Sequence, residues 1–310
     1  MARKFWRKKV LLVKPEVTYG TNPVPTGAAN AILAENVELT PMSSQTEERG
    51  SLRPHYGSNP TMRTVLSQKI AYDVELAGAG TAGALPGWAP ILRGCGFLAT
   101  QTVGTDVVFE PVSYDQESMA TVLNNDGTKY ALLGGRSDAV FTLEAQKRPM
   151  VRYSYTSMFQ LPVTEALPVP VLTGFKKPLI VNKANTVVTL GGWAAKMSRL
   201  TINLGNQIVA RFIVGDEEVL ITDRKVTGTV VVDAVALETF NPFALAVPGT
   251  TIPLHLVHGA IAGAIIELDL PTIELGEVTI GQAEGVEQWT IPFSALPSDA
   301  GDDEFTVTVK

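Results

Sequence analysis

The chain has 310 residues, 45% of them hydrophobic and 18% charged, with a formal net charge of −6 and one cysteine. That is about two domains' worth of chain with apolar material for its own core, which excludes disorder. One cysteine excludes an internal disulfide framework or a Cys-x-x-Cys metal site, and no apolar run approaches the roughly 20 residues that span a bilayer.

Residues 1–24 read as an N-terminal arm. Arg3, Lys4, Arg7, Lys8 and Lys9 open it with no acid among them. The apolar stretch Val10 to Val13 ends at Lys14, too short for a signal peptide, so secretion by that route is not expected. With these cations set aside, the body is more acidic than the net charge indicates. Such a body does not bind nucleic acid through phosphates, because that affinity comes from Lys and Arg displacing counterions. The arm itself reads as a solvated or subunit-contacting segment.

Strand patterning follows. "ILAENVELTPM" leads into residues 41–66, a polar stretch with three prolines, Gly50 and Gly57. A loop of that length without structure of its own is functional or disordered. It carries Glu47, Glu48, Arg49, Arg53 and Arg63 interleaved with Leu52, Tyr56 and Met62, a mixture suited to a protein contact. "QKIAYDVEL" then alternates Ile70, Tyr72, Val74 and Leu76 against Lys69, Ala71, Asp73 and Glu75. "DAVFTLEAQ", "AIIELDLP" and "EFTVTVK" repeat this period of two, the mark of antiparallel strands with one wet face. A short helix is expected over Trp88–Gly96 and another over Thr239–Ala246. "NNDG" (124–127) reads as a hairpin turn.

The Pro-rich residues 166–174 read as a linker between units 25–165 and 175–310. The order of features on its two sides is alike, and both sides close on Leu-Pro (Leu161-Pro162, Leu296-Pro297), which suggests duplication of one β-rich unit. Where the first unit has its 41–66 insertion, the second has only "VGDEEVLITD" (214–223).

Gly78-Ala79-Gly80-Thr81-Ala82-Gly83 fits the dinucleotide fingerprint G-x-G-x-x-G. Its context does not: the preceding strand is amphipathic, and Pro86 and Gly87 delay any helix beyond reach of a phosphate. A positive-φ connection is the better reading. His255-x-x-His258 lies in an apolar, strand-like stretch with no Glu between the histidines, so both read as structural. Cys95 reads as an inert buried thiol, and Glu217-Glu218 and Asp302-Asp303 as solvated turns. No catalytic residue, metal ligand or cofactor is assigned. A carbohydrate-binding or adhesin-type β-sandwich remains the alternative.

The succession "TYGTNPVPTGAANAILAENVEL", "VELAGAGTAGALPGWAPILRGCGF", "VVFEPVS" and "NNDGTKYALLGGRSDAVFTLEAQKRPMVRYSYTSMFQ" resembles the major tail tube proteins of long-tailed bacteriophages, over about residues 15–165. The resemblance implies a mainly β fold: tandem sandwich units, each with a short flanking helix, whose inner sheets join into one closed barrel. It implies a non-enzymatic virion protein that polymerises as stacked rings into a conduit for the genome. Residues 41–66 occupy the place of the inter-ring contact loop. Two units per chain imply a trimeric, pseudo-sixfold ring in place of a hexamer. The tape-measure, terminator and baseplate or tip proteins are the implied partners, the tail the implied location, and the host cytoplasm the place of assembly. DNA would pass without specific binding, and Asp73, Glu75, Glu144, Glu267 and Asp269 are the candidate lumen-facing acids.

Overall fold

The computed structural model describes residues 3–310, and strands dominate its regular structure. Nineteen strands are hydrogen-bonded into one network that folds over on itself, and two more form a separate hairpin. One layer is an open antiparallel ladder. Its strands lie in the order Ala34–Glu48, Thr61–Glu75, Met150–Met158, the second half of Thr128–Glu144, Met197–Asn203, Thr227–Asp233, Val286–Ala295 and Thr279–Ala283. Alternation sets its two faces, as period-two patterning requires: Ile70, Tyr72, Val74, Tyr153, Phe141, Leu200, Val230 and Ile291 are buried, while Lys69, Asp73, Glu75 and Arg152 stand on the open side.

The covering layer holds Lys9–Pro15, Met119–Asn125 and the first half of Thr128–Glu144. It also holds Thr186–Leu190, Thr251–His258, Ile266–Leu275, Thr306–Val309, Asp106–Pro111 and Phe97–Thr102. The strand Thr128–Glu144 belongs to both layers and turns at Gly134, whose φ is +62°. Ile266–Leu275 makes a similar passage: its end pairs with Phe293–Ala295 before the chain enters Thr279–Ala283. The main apolar cluster runs from Leu11 to Val309 and draws on both halves of the chain, and a small second one gathers Val10, Leu12, Ala31 and Val122. Residues 166–172 run without helix or strand, and the Val171 N–H donates to the Gly27 carbonyl at 2.9 Å.

The expected helices are present but shorter, Ala89–Arg93 and Pro242–Ala246. The second begins at Asn241, whose side chain accepts from the Ala244 N–H. In the first, Pro90 sits in the opening turn, and Gly94 and Gly96 follow its end.

Two expectations fail here. Residues 41–66 are not an unstructured insertion: strands Ala34–Glu48 and Thr61–Glu75 continue through most of them, and only the apex at 49–60 lacks strand. Polar Ser, Thr, Gln and Glu form strand there because each strand supplies the other's hydrogen-bond partners, from Ser43↔Ser67 to Glu48↔Thr61. The corresponding place in the second half, read as the short segment 214–223 alone, is also a hairpin: Asn206–Ile213 and Asp216–Arg224 pair and turn at Val214-Gly215. Glu217 and Glu218 therefore lie on a strand, not in a turn.

The glycine motif is a point of close backbone approach. A Cβ on Gly78 would lie 2.3 Å from the Gly263 carbonyl oxygen, and one on Gly263 would lie 2.5 Å from the Gly80 carbonyl carbon. The Gly80 N–H donates to that same Gly263 oxygen at 2.7 Å. The glycines thus join the halves by contact of main chain on main chain. A Cβ on Gly80, at φ +83°, would first meet the long side chain of Lys176, at 2.7 Å, rather than main chain. Gly80→Ala is therefore expected to cost about 1 kcal/mol through its φ. Gly78→Ala, which must push one main chain away from another, should cost more, about 1–3 kcal/mol. Urea denaturation of both variants checks the order; equal losses would refute the close-approach account.

Candidate assembly surfaces

The ladder has two ends. At one, Thr61–Glu75 stops pairing with Met150–Met158 at Ser67↔Met158. Beyond that point residues 61–66 have only their hairpin partner, so the hairpin projects as an arm of about 20 Å before its apex. Glu47 and Met62 face each other on it, with Glu48 and Thr61 next. The Arg63 guanidinium lies 3.2 Å from the Met42 sulfur. Leu52 and Tyr56 at the apex are 104% and 106% exposed, so the arm holds its apolar side chains in water. Arg49 and Arg53 are exposed beside them.

The second hairpin projects at the same end. Its base is tied down: the Asn206 side-chain amide donates to the carbonyls of Cys95 and Ser137 at 2.8 and 3.0 Å. Further out, the Val219 N–H donates to the Tyr19 hydroxyl, which donates to the Gly134 carbonyl. Gly134 marks the end of the ladder, so the tip at Val214-Gly215 lies about 13 Å past it. Burial raises the Cys95 thiol well above its ordinary value, as suits a packed thiol.

Among the described residues, the ladder's two outer strands have no neighbour on one side. Thr279–Ala283 is exposed along its whole length, with Ile280 64% exposed, and Ala34–Glu48 bounds the other side. Unpaired N–H and C=O groups in such a row invite another strand.

The five candidate acids separate into two groups. Asp73, Glu75 and Glu144 stand on the ladder's open face, each beside a cation. Arg152 bonds Asp73 at 3.1 Å and Glu38 at 3.0 Å. Arg148 bonds Glu75 and Glu35, and Lys147 lies 2.7 Å from Glu144. Glu267 and Asp269 are on Ile266–Leu275, in the covering layer, where Lys310 bonds Glu267 at 2.7 Å and His255 faces Asp269. Burial raises Asp269 above the usual carboxylate range, with His255 opposing the shift. Most charge on the open face is therefore paired, with Lys69 and Arg199 exposed there as well, and the face is rich in hydroxyls: Thr142, Thr201 and Thr229 form one cross-strand row.

Other residues singled out in the sequence are structural. His258 is buried, with Nδ1 2.8 Å from the Thr186 hydroxyl and Nε2 3.2 Å from the Leu179 carbonyl. Trp88 and Trp289 are core residues, and Trp193, half-buried, stacks on Phe240 at 4.6 Å. Asp302, expected to be solvated, instead bonds Ser113 and Arg224.

A profile of phage tail tube proteins matches residues 6–302, nearly the whole chain. The chain belongs to the phage tail tube protein family. No curated protein matches it. Family membership makes it a structural protein of the phage tail, one that self-assembles with other tail components in the virion. No helix of this tail tube protein, among the described residues, is long and apolar enough to cross a membrane. The features sequence reasoning missed are the second hairpin and the bare strand Thr279–Ala283. The first had a signal in the alternation of "QIVARFI" and "EEVLITD" about Val214-Gly215. The second, "TIGQA", is too short and polar to carry one.

Proposed function

We propose that three copies of this chain close into a ring, that the rings stack into the tail tube, and that the ladder's open face lines the passage for genome delivery. The observation that carries this is the join between the halves. The last ladder strand of the first half, Thr128–Glu144, pairs with the first of the second half, Met197–Asn203. The two halves also share an order along the chain. Covering strand, ladder pair with a hairpin arm, short helix, covering strand, layer-crossing passage and final ladder strand occur from Lys9 to Met158 and again from Thr186 to Ala295, with Phe97–Thr102 and Asp106–Pro111 added in the first half and Thr279–Ala283 in the second. Two tandem units account for that repetition. By the same rule the bare strand Thr279–Ala283 of one copy pairs with Ala34–Glu48 of the next, and closure leaves no free edge.

The arm at 41–66 then reaches the neighbouring ring. The lumen is lined by hydroxyls and mostly paired charges, which offer DNA no continuous cationic track on which to release counterions. Asp73, Glu75 and Glu144 belong to that wall. The tape-measure, terminator and baseplate or tip proteins are its further partners, and assembly takes place in the host cytoplasm. Electron microscopy with mass measurement tests the reading. Rings of three 33.2 kDa chains are expected. Rings of six chains would refute the two-unit account, and a chain that stays monomeric, with no tubes in virions, would refute the function.

A further inference from the structure

We infer that the exposed basic segment Arg3–Lys8 of one copy seats the acidic tip Asp216–Glu218 of the second hairpin of another copy, a head-to-tail contact distinct from the arm at 41–66. The inference rests on the stacked-ring reading.

The two surfaces lie at opposite ends of the molecule. The hairpin tip extends past Gly134 and Met158, as described. At the other end, Leu11 and Leu12 pair with Ile32 and Ala31, and Ala34 starts the ladder two residues later. Lys9 shares a surface cavity with Ala34 and Val37 there. The preceding segment is fastened to the turn after Met119–Asn125: the Phe5 N–H donates to Asp126 at 2.7 Å, Lys4 bonds Thr128, and Lys8 lies 3.9 Å from Asp126. Residues 3–8 are all exposed even so, with Phe5 at 59% and Trp6 at 73%.

The charges are complementary. Arg3, Lys4, Arg7 and Lys8 have no acid among them. On the hairpin, Arg211 faces Glu218 from the opposite strand, so Asp216 and Glu217, both exposed, supply the tip's free negative charge. The arm at 41–66, projecting from the same end as the hairpin, carries both signs and offers the basic segment no such match. Apolar groups accompany the charges on both sides, Phe5 and Trp6 on one and Ile213 and Val214, 47% and 106% exposed, on the other. A second copy stacked along the strand direction brings these ends together. Complementary potentials of this kind fix register and suppress wrong encounters.

Charge reversal decides the matter, in full-length protein. Asp216→Lys with Glu217→Lys, and separately Arg3→Glu with Arg7→Glu, should leave circular dichroism, thermal midpoint and ring mass unchanged. Each should raise the concentration needed for tubes, read by sedimentation and microscopy, by about tenfold or more. Joining both sets in one chain should restore assembly to within about threefold of wild type. Wild type in about 0.5 M salt, where screening acts over about 4 Å, should assemble less readily than in low salt. Normal tubes from either reversed chain, or no rescue by the double reversal, overturn the contact while leaving the tube reading intact. Rings and tubes absent from wild type overturn both. Normal tubes with lost binding to double-stranded DNA or to phosphatidylglycerol vesicles overturn the contact and assign the segment to that ligand.

Discussion

Deleting Ser44–Met62 is expected to leave a folded protein that forms rings but no tubes. Those residues lie beyond the last pairing of Thr61–Glu75 with Met150–Met158, and none belongs to the buried cluster. The body therefore loses no core contact, and shortening a loop of this kind changes closure entropy by only about 1 kcal/mol. The arm's exposed Leu52 and Tyr56, which gain nothing from the monomer, are what stacking would bury. Burying the two side chains contributes about 3–5 kcal/mol per contact, enough to shift axial affinity by a factor of a hundred or more. Denaturant midpoints together with negative-stain images check both halves of the prediction. Tubes of normal length from the deletion variant would remove the arm from the stacking contact. A lower denaturant midpoint would show that it supports the fold.

The alternating strands and both short helices were legible in the sequence because burial on one face writes itself as period two, and because Pro and Gly bound the helices. The ladder's order was not legible. It depends on which strands meet across the chain, and Glu144 pairing with Arg199 leaves no mark in either local stretch. The arm was misread as a loop for a related reason. Its strand residues bury nothing, so no apolar periodicity announces them, and cross-strand hydrogen bonding alone gives the structure. Of the candidate site, the polarity of the arm is legible, but nothing in the alternation separates Asp73, Glu75 and Glu144 from Glu267 and Asp269, which lie in different layers. Alternation tells a wet face from a dry one, not which sheet it belongs to.

The second large effect is expected at Arg224. Its side chain is 9% exposed and bonds Glu304, 8% exposed, at 2.5 Å and Asp302 at 2.8 Å. Arg224→Ala would leave Glu304 buried without its cation, with one of its oxygens already unpartnered. Removing one member of a buried pair costs about 3–5 kcal/mol, whereas replacing both by apolar residues recovers most of that. Arg224→Met with Glu304→Met should therefore be more stable than Arg224→Ala alone. Asp302 adds a pH signature. Partial burial by itself would raise its carboxyl, but hydrogen bonds from Ser113 and Arg224 outweigh that and hold it below the usual range. Its contribution is present above about pH 4 and is lost as pH falls through the depressed value. Urea titrations of the three proteins suffice; a loss below about 1 kcal/mol in Arg224→Ala would show the pair to be solvated.

The strand Thr306–Val309 pairs on one side with Ile266–Leu275 and on the other with Asp106–Pro111, some two hundred residues earlier in the chain. Phe305, fully buried, packs edge-on against Phe97 and Phe141 of the first half. During synthesis, then, the early half waits with an unfilled hollow and an unmatched edge until the ribosome has delivered residues 305–309. Contacts this distant in sequence form late and slowly. A first half on its own would therefore leave the edge of Asp106–Pro111 without its strand and the rings of Phe97 and Phe141 without Phe305.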